Sequence, residues 1–131
     1  MTNKATGTFT VKIVPQTDRI IPLFSRMTLD KEIHGDLEAA TQGQMLAAGT
    51  ATPNSAGYVA IERVVGTLHG KKGSFVLQHN ATMNRGVPSL NITVVPDSGT
   101  DELTGLSGIF TVIIEEGKHS FEFVYTLSDS N

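Results

Sequence analysis

The stretch that decides the fold is Gly57-Tyr58-Val59-Ala60-Ile61-Glu62-Arg63-Val64-Val65-Gly66-Thr67-Leu68-His69-Gly70-Lys71-Lys72-Gly73-Ser74-Phe75-Val76-Leu77-Gln78-His79-Asn80. Tyr58 to Leu68 and Ser74 to Thr82 are rich in β-branched and aromatic residues, and His69 to Gly73 between them tolerates a tight reversal, so the stretch predicts a β-hairpin. A turn centred between Gly70 and Lys71 sets Val65 opposite Val76 and Glu62 opposite His79; a slip of one residue sets Glu62 opposite Gln78. Glu62, Val64, Leu68, Phe75, Leu77 and His79 then share one apolar face that carries a single carboxylate and a single imidazole. The other face of the first strand, with Val59, Ile61 and Val65, is apolar too. A strand covered on one side only would alternate with polar residues, so a cover is expected on both. The chain offers little helix for that purpose, which points to self-association into a homo-oligomer.

Working outward, Thr6 to Val14 alternates Phe9, Val11 and Ile13 with polar residues and ends at Pro15. The connection from Pro15 to Phe24 holds Ile20, Ile21, Leu23 and Phe24 and is expected to pack down as a plug, the alternative being a lid. Ser25 to His34 carries Met27, Leu29 and Ile33 at strand spacing, with Asp30, Lys31 and Glu32 read as its wetter side. Leu37 to Leu46 reads as a strand, although Leu37-Glu38-Ala39-Ala40 has helical propensity. Ala47 to Ala56 is a loop. Ser89 to Val95 is a further strand, Thr100 to Gly108 a compact connection with one helical turn, and Ile109 to Glu115 with His119 to Leu127 a closing hairpin. About eight short strands at regular spacing predict an all-β antiparallel barrel or sandwich, in one domain spanning 1–131, with 1–5 as a flexible N-terminus.

Length and composition narrow the functions. A chain of 131 residues buries roughly two-thirds of its unfolded surface and needs neither metal nor disulfide for a core. Charged residues are 18% of the chain and the net charge is −3. No basic block supplies the footprint that nucleic acid requires. The absence of cysteine removes thiolate ligands and a thiol nucleophile. No apolar run suggests a signal peptide or a membrane span, so a soluble cytoplasmic protein is expected. His34, His69, His79 and His119 show no paired ligand spacing, which argues against a metal. Gly70-Lys71-Lys72-Gly73-Ser74 lacks the P-loop pattern, and no cofactor is expected.

The chain resembles an uncharacterised bacterial family, domain-of-unknown-function family 3224. The resemblance rests on Gly35-Asp36-Leu37-Glu38, on Gly57 to Leu68, on Gly73 to His79, on Val94-Val95-Pro96-Asp97-Ser98-Gly99-Thr100 and on Leu103-Thr104-Gly105-Leu106-Ser107-Gly108. These blocks cover most of the chain in family order. The resemblance implies an eight-stranded antiparallel barrel similar to allene oxide cyclase and to dirigent proteins, relatives that hold an apolar ligand inside the barrel and tend to oligomerise. It implies no activity.

Glu62 with His79 is the sharpest candidate chemistry. Burial disfavours a carboxylate's charge and a neighbouring imidazolium restores it, so the pair is suited to exchanging protons with a bound molecule. The competing reading is a buried polar pair that satisfies itself, or Glu62 bridging to Arg63 of a neighbouring subunit. Tyr58, Gln78, Asn91 and Tyr125 are candidate ligand contacts, with an ordinary strand residue as the favoured reading of each, and Glu38 is a second candidate carboxylate, with a solvated strand face as its favoured reading. Met27, Met45 and Met83 offer an adaptable apolar lining or plain core filling. The expected function is binding of a small, largely apolar molecule in the barrel interior, with Glu62 and His79 or Gln78 as polar contacts. The alternatives are a cofactor-free isomerase or cyclase with Glu62 as acid or base, and a structural or interaction barrel with a filled core.

Overall fold

A computed structural model describes residues 2–128. Eight strands form a closed antiparallel barrel in sequence order: β1 (Asn3–Pro15), β2 (Phe24–Gly35), β3 (Leu37–Gly49), β4 (Ala56–Leu68), β5 (Lys71–Asn84), β6 (Val87–Val94), β7 (Leu106–Glu115) and β8 (Lys118–Leu127). Closure removes every sheet edge, which suits long strands that would otherwise expose unpaired backbone. The segment expected as a flexible start is strand from Asn3, and Ala5 is buried opposite Phe123 of β8. The Leu37-Glu38-Ala39-Ala40 stretch is likewise strand, its helical propensity overridden by pairing on both sides.

The central hairpin is tighter than expected. Its turn is His69-Gly70 alone, with φ of +47° and +80°, the left-handed pair that matches strand twist. Glu62 therefore stands opposite Leu77, and His79 opposite Ala60. The expected register is off by two residues, and because side chains alternate with period two, the facing is unchanged: Glu62 and His79 both point inward.

Following the register from Ile13 through Leu29, Gly43, Glu62 and Leu77 to Val94, and then through Gly108 and Tyr125, returns to β1 at Asn3. Such a stagger tilts strands by roughly 40° and leaves an interior that side chains can fill or that one small ligand can occupy. The two halves of the interior differ. Toward the Gly35 and Leu68 end it is solid: Phe75, Phe110, Phe121 and Phe123 pack with Leu37, Leu68 and Ile33, and Phe110 stacks on Phe121 at 5.0 Å between centroids. A 3-10 turn, Asp101–Leu103, seats the fully buried Leu103 over this end. Where β6 stops, Ser98 and Thr100 accept the N–H groups of Val76 and Ser74, each at 3.0 Å, so β5 keeps its ladder bonds.

The opposite end is open. There the inward positions Ile13, Met83 and Leu90 are exposed, Ile114 is 63% exposed, and Met27, Met45 and Tyr58 are half-buried. The connection between β1 and β2 does not plug this mouth. Ile20 is 92% exposed, with Ile21 and Leu23 also in solvent, because the loop is held by polar bonds instead: Arg26 to Asp18 at 2.6 Å and the Gln16 N–H to the Arg26 carbonyl at 2.8 Å.

Candidate functional site

At the boundary between the solid half and the open mouth, three charged or titratable side chains meet inside the barrel. Alternation along β2 sets Met27, Leu29, Lys31 and Ile33 inward, so Lys31 is buried and not part of the wetter side. Its ammonium donates to Glu62 Oε1 at 3.0 Å and lies 5.0 Å from the centroid of Phe9 and 5.8 Å from that of Phe110. Aromatic faces and a carboxylate together replace the water that a buried ammonium loses.

His79 Nε2 reaches the same Glu62 oxygen at 2.7 Å. The two residues are diagonal neighbours across β4 and β5, a spacing that long side chains on one face can span. Glu62 is fully buried. Burial pushes its carboxyl pKa up, but the His79 hydrogen bond, the charges of Lys31 and His79, and the Thr41 hydroxyl outweigh it, holding the value at about 2. The carboxylate is therefore ionised and can only accept, so the His79 Nε2 carries the proton it donates. Glu62 Oε2 has no hydrogen-bond partner, and among the described residues it is the one sealed side-chain polar atom in that state. Thr41, opposite Lys31, anchors the floor by accepting the Lys31 N–H at 3.1 Å.

Tyr58 faces the same space at the mouth. Its phenol pKa is raised, chiefly by burial and then by the negative charge of Glu62, so it stays protonated. The other candidates lie elsewhere. Gln78 and Asn91 sit on the outer face, which their inward neighbours His79 and Ile92 make obligatory. Glu38 is also outside, accepting the Gly35 N–H at 2.8 Å and meeting His34 Nδ1 at 3.1 Å, and these contacts lower its pKa. Tyr125 does point inward but at the closed end, where its hydroxyl bonds His69 Nδ1 and pins the hairpin turn. Its pKa is raised by burial first and then by the charge of Asp36. The structure thus unites Glu62, His79 and Tyr58, adds Lys31 and Thr41, and leaves Gln78, Asn91, Glu38 and Tyr125 out of the site. The signal for Lys31 was its odd number: it shares parity with Met27, Leu29 and Ile33.

A groove of about 610 Å³ runs along the outer wall, floored by Leu46, Val59 and Ile61 and edged by Arg26, Gln44 and Gln78. Met45, Ala60 and His79, on the strands that carry the cluster, also line it. No helix of the described residues is long and apolar enough to cross a membrane.

Comparison with known proteins gives no match among curated proteins. A solved structure from Shewanella oneidensis MR-1, a protein with unknown function from the DUF3224 family, is 47% identical, with a TM-score of 0.93, over 99% of this chain and 100% of that one. The model of the family described as a protein of unknown function (DUF3224) matches residues 5–125. Alignment over nearly the whole barrel, site included, identifies the chain as a member of the DUF3224 family.

Proposed function

We propose that the barrel binds a small, largely apolar molecule in the mouth half of its interior, above the Lys31–Glu62–His79 cluster. One observation carries the reading: Glu62 Oε2 is buried without a hydrogen-bond partner in the charged cluster where the open, apolar half of the interior ends. Leaving such an acceptor unmet costs about 1–3 kcal/mol, and more when it is charged. A barrel that only needed to fold would avoid that cost with an apolar residue, since buried ion pairs rarely improve on well-packed hydrophobes. Met27, Met45 and Met83 supply an unbranched, adaptable lining for a ligand body. Ligand binding is confined to this half because phenylalanines fill the other.

A second reading, a cofactor-free isomerase or cyclase, is favoured by the dyad geometry in one altered form. A carboxylate held at about 2 does not exchange protons near neutrality, so Glu62 orients the ring and His79 takes the role of base.

Native mass spectrometry of the protein purified from its own cells tests the binding reading. A stoichiometric small molecule that is lost on mild activation, and is absent from a variant whose mouth is blocked by Ala60→Phe, supports it. Ligand-free protein with no response to added apolar compounds contradicts it.

A further inference from the structure

From the outer wall and the loop beside it we infer that the barrel pairs with a second copy of itself, the apolar tip of each β1–β2 loop entering the groove on the other copy's wall. This contact is separate from the interior ligand and stands without it.

The floor of the groove is continuous. Leu46 stands opposite Val59 across β3 and β4, and Ile61 is the next outward residue of β4. The three are 46%, 53% and 51% exposed. A depression of about 610 Å³ with such a floor holds several aliphatic side chains, and a contiguous exposed patch of this kind marks a surface that is covered in use.

The loop offers the matching half. Ile20 is 92% exposed, with Ile21 and Leu23 beside it also in solvent. They do not stand there because the loop is slack. Asp18 is held by Arg26 at 2.6 Å, and the Gln16 N–H by the Arg26 carbonyl at 2.8 Å. Arg19 donates to the Pro22 carbonyl at 3.3 Å, and the Phe24 N–H to the Ile21 carbonyl at 3.1 Å. A loop fixed in this way loses little freedom when it docks. The backbone of Ile20 makes no hydrogen bond with other backbone groups among the described residues, and the Gln78 and Asn80 amides on the groove rim both donate and accept.

Arg26 fixes where the two halves lie. It bonds Asp18 in the loop with one nitrogen and Gln44 at the groove's edge, at 2.8 Å, with the other. The loop is thus moored beside its own groove with its tip in solvent, and does not fill it. A protrusion and a groove side by side on one chain suit a two-fold contact: each loop enters the other copy's groove, both contacts form at once, and the assembly closes as a dimer. A different protein would have to bring its own apolar protrusion, whereas a second copy already carries one.

Intermolecular paramagnetic broadening tests this. The chain has no cysteine, so Thr17→Cys gives the loop a single nitroxide without touching its apolar tip. Mixed with isotope-labelled protein that carries no nitroxide, it is expected to broaden the methyl signals of Leu46, Val59 and Ile61 and to spare Ile109 and Val124, which are exposed on β7 and β8. In sedimentation equilibrium, Ile20→Asp is expected to raise the dimer dissociation constant at least about thirtyfold, as loss of an anchoring side chain does. Ile61→Lys alone should dissociate the dimer as well. Mixing the two variants is expected to restore a weaker dimer, because the intact loop of one still meets the intact groove of the other. A monomer at high micromolar concentration overturns the inference and leaves the groove to another partner. A dimer that Ile20→Asp leaves unchanged, or broadening that falls outside the wall, overturns it by placing the contact between copies elsewhere.

Discussion

Gly43 of β3 stands directly across from Glu62 of β4, and a β-carbon on Gly43 would lie 2.7 Å from Glu62 Cβ. The strands approach here more closely than two side chains allow, and the missing one leaves Glu62 the room to reach both Lys31 and His79. Gly43→Ala is expected to destabilise the fold by about 1–3 kcal/mol, the usual cost of overpacking. Urea unfolding reads the loss, and an unchanged midpoint would show that the approach is slack.

The ion pair beside it predicts a coupled pattern. Glu62→Leu or Lys31→Met alone leaves a buried charge without its partner and is expected to cost about 3–5 kcal/mol. The double variant removes both charges, so its cost falls well below the sum of the two. A double-mutant cycle by chemical denaturation measures the coupling; simple additivity would mean that the two residues do not depend on each other.

Acid should weaken the barrel through the same carboxylate. Glu62 has an ordinary pKa of 4.5 and a folded value of about 2. A depressed folded value stabilises the fold above the unfolded pKa, and that stabilisation is lost as pH falls from about 4.5 toward about 2. The amount is of order 3 kcal/mol. Stability measured across this window should drop for the unaltered protein and flatten in Glu62→Gln. Parallel curves would place the acid sensitivity in other carboxylates.

Much of this was legible in the strands. Alternation around Glu62, Val64, Phe75 and Leu77 determines which side chains enter the barrel, and that facing survives the two-residue error in register because two is the period of the pleat. Register itself was not legible, since a two-residue turn and a longer one use the same His69 to Gly73 residues. Lys31 was misread because charge was weighed above parity, and its burial depends on Glu62 and Phe110, partners far along the chain. Ile20, Ile21 and Leu23 were expected to pack inward by composition, yet composition does not reveal that Arg26 and Asp18 tie the loop down from outside.

The outer wall carries its own expectation. Leu46, Val59, Ile61 and Val65 point away from the core and are exposed, a grouping that isolated soluble chains tend to avoid. Sedimentation velocity is expected to show concentration-dependent self-association, and Ile61→Lys to abolish it without loss of fold because the side chain faces outward. A monomer at high micromolar concentration would contradict this.

The most direct test of a ligand site in the mouth is a methyl spectrum of protein labelled at both methionine and leucine methyl groups, recorded as nonanol is added. Met27, Met45 and Met83 are expected to shift in a saturable way, while the methyl groups of Leu37, Leu68 and Leu103 at the closed end stay in place. Methionine signals that do not move, or shifts spread evenly over both ends, would contradict binding above Lys31, Glu62 and His79.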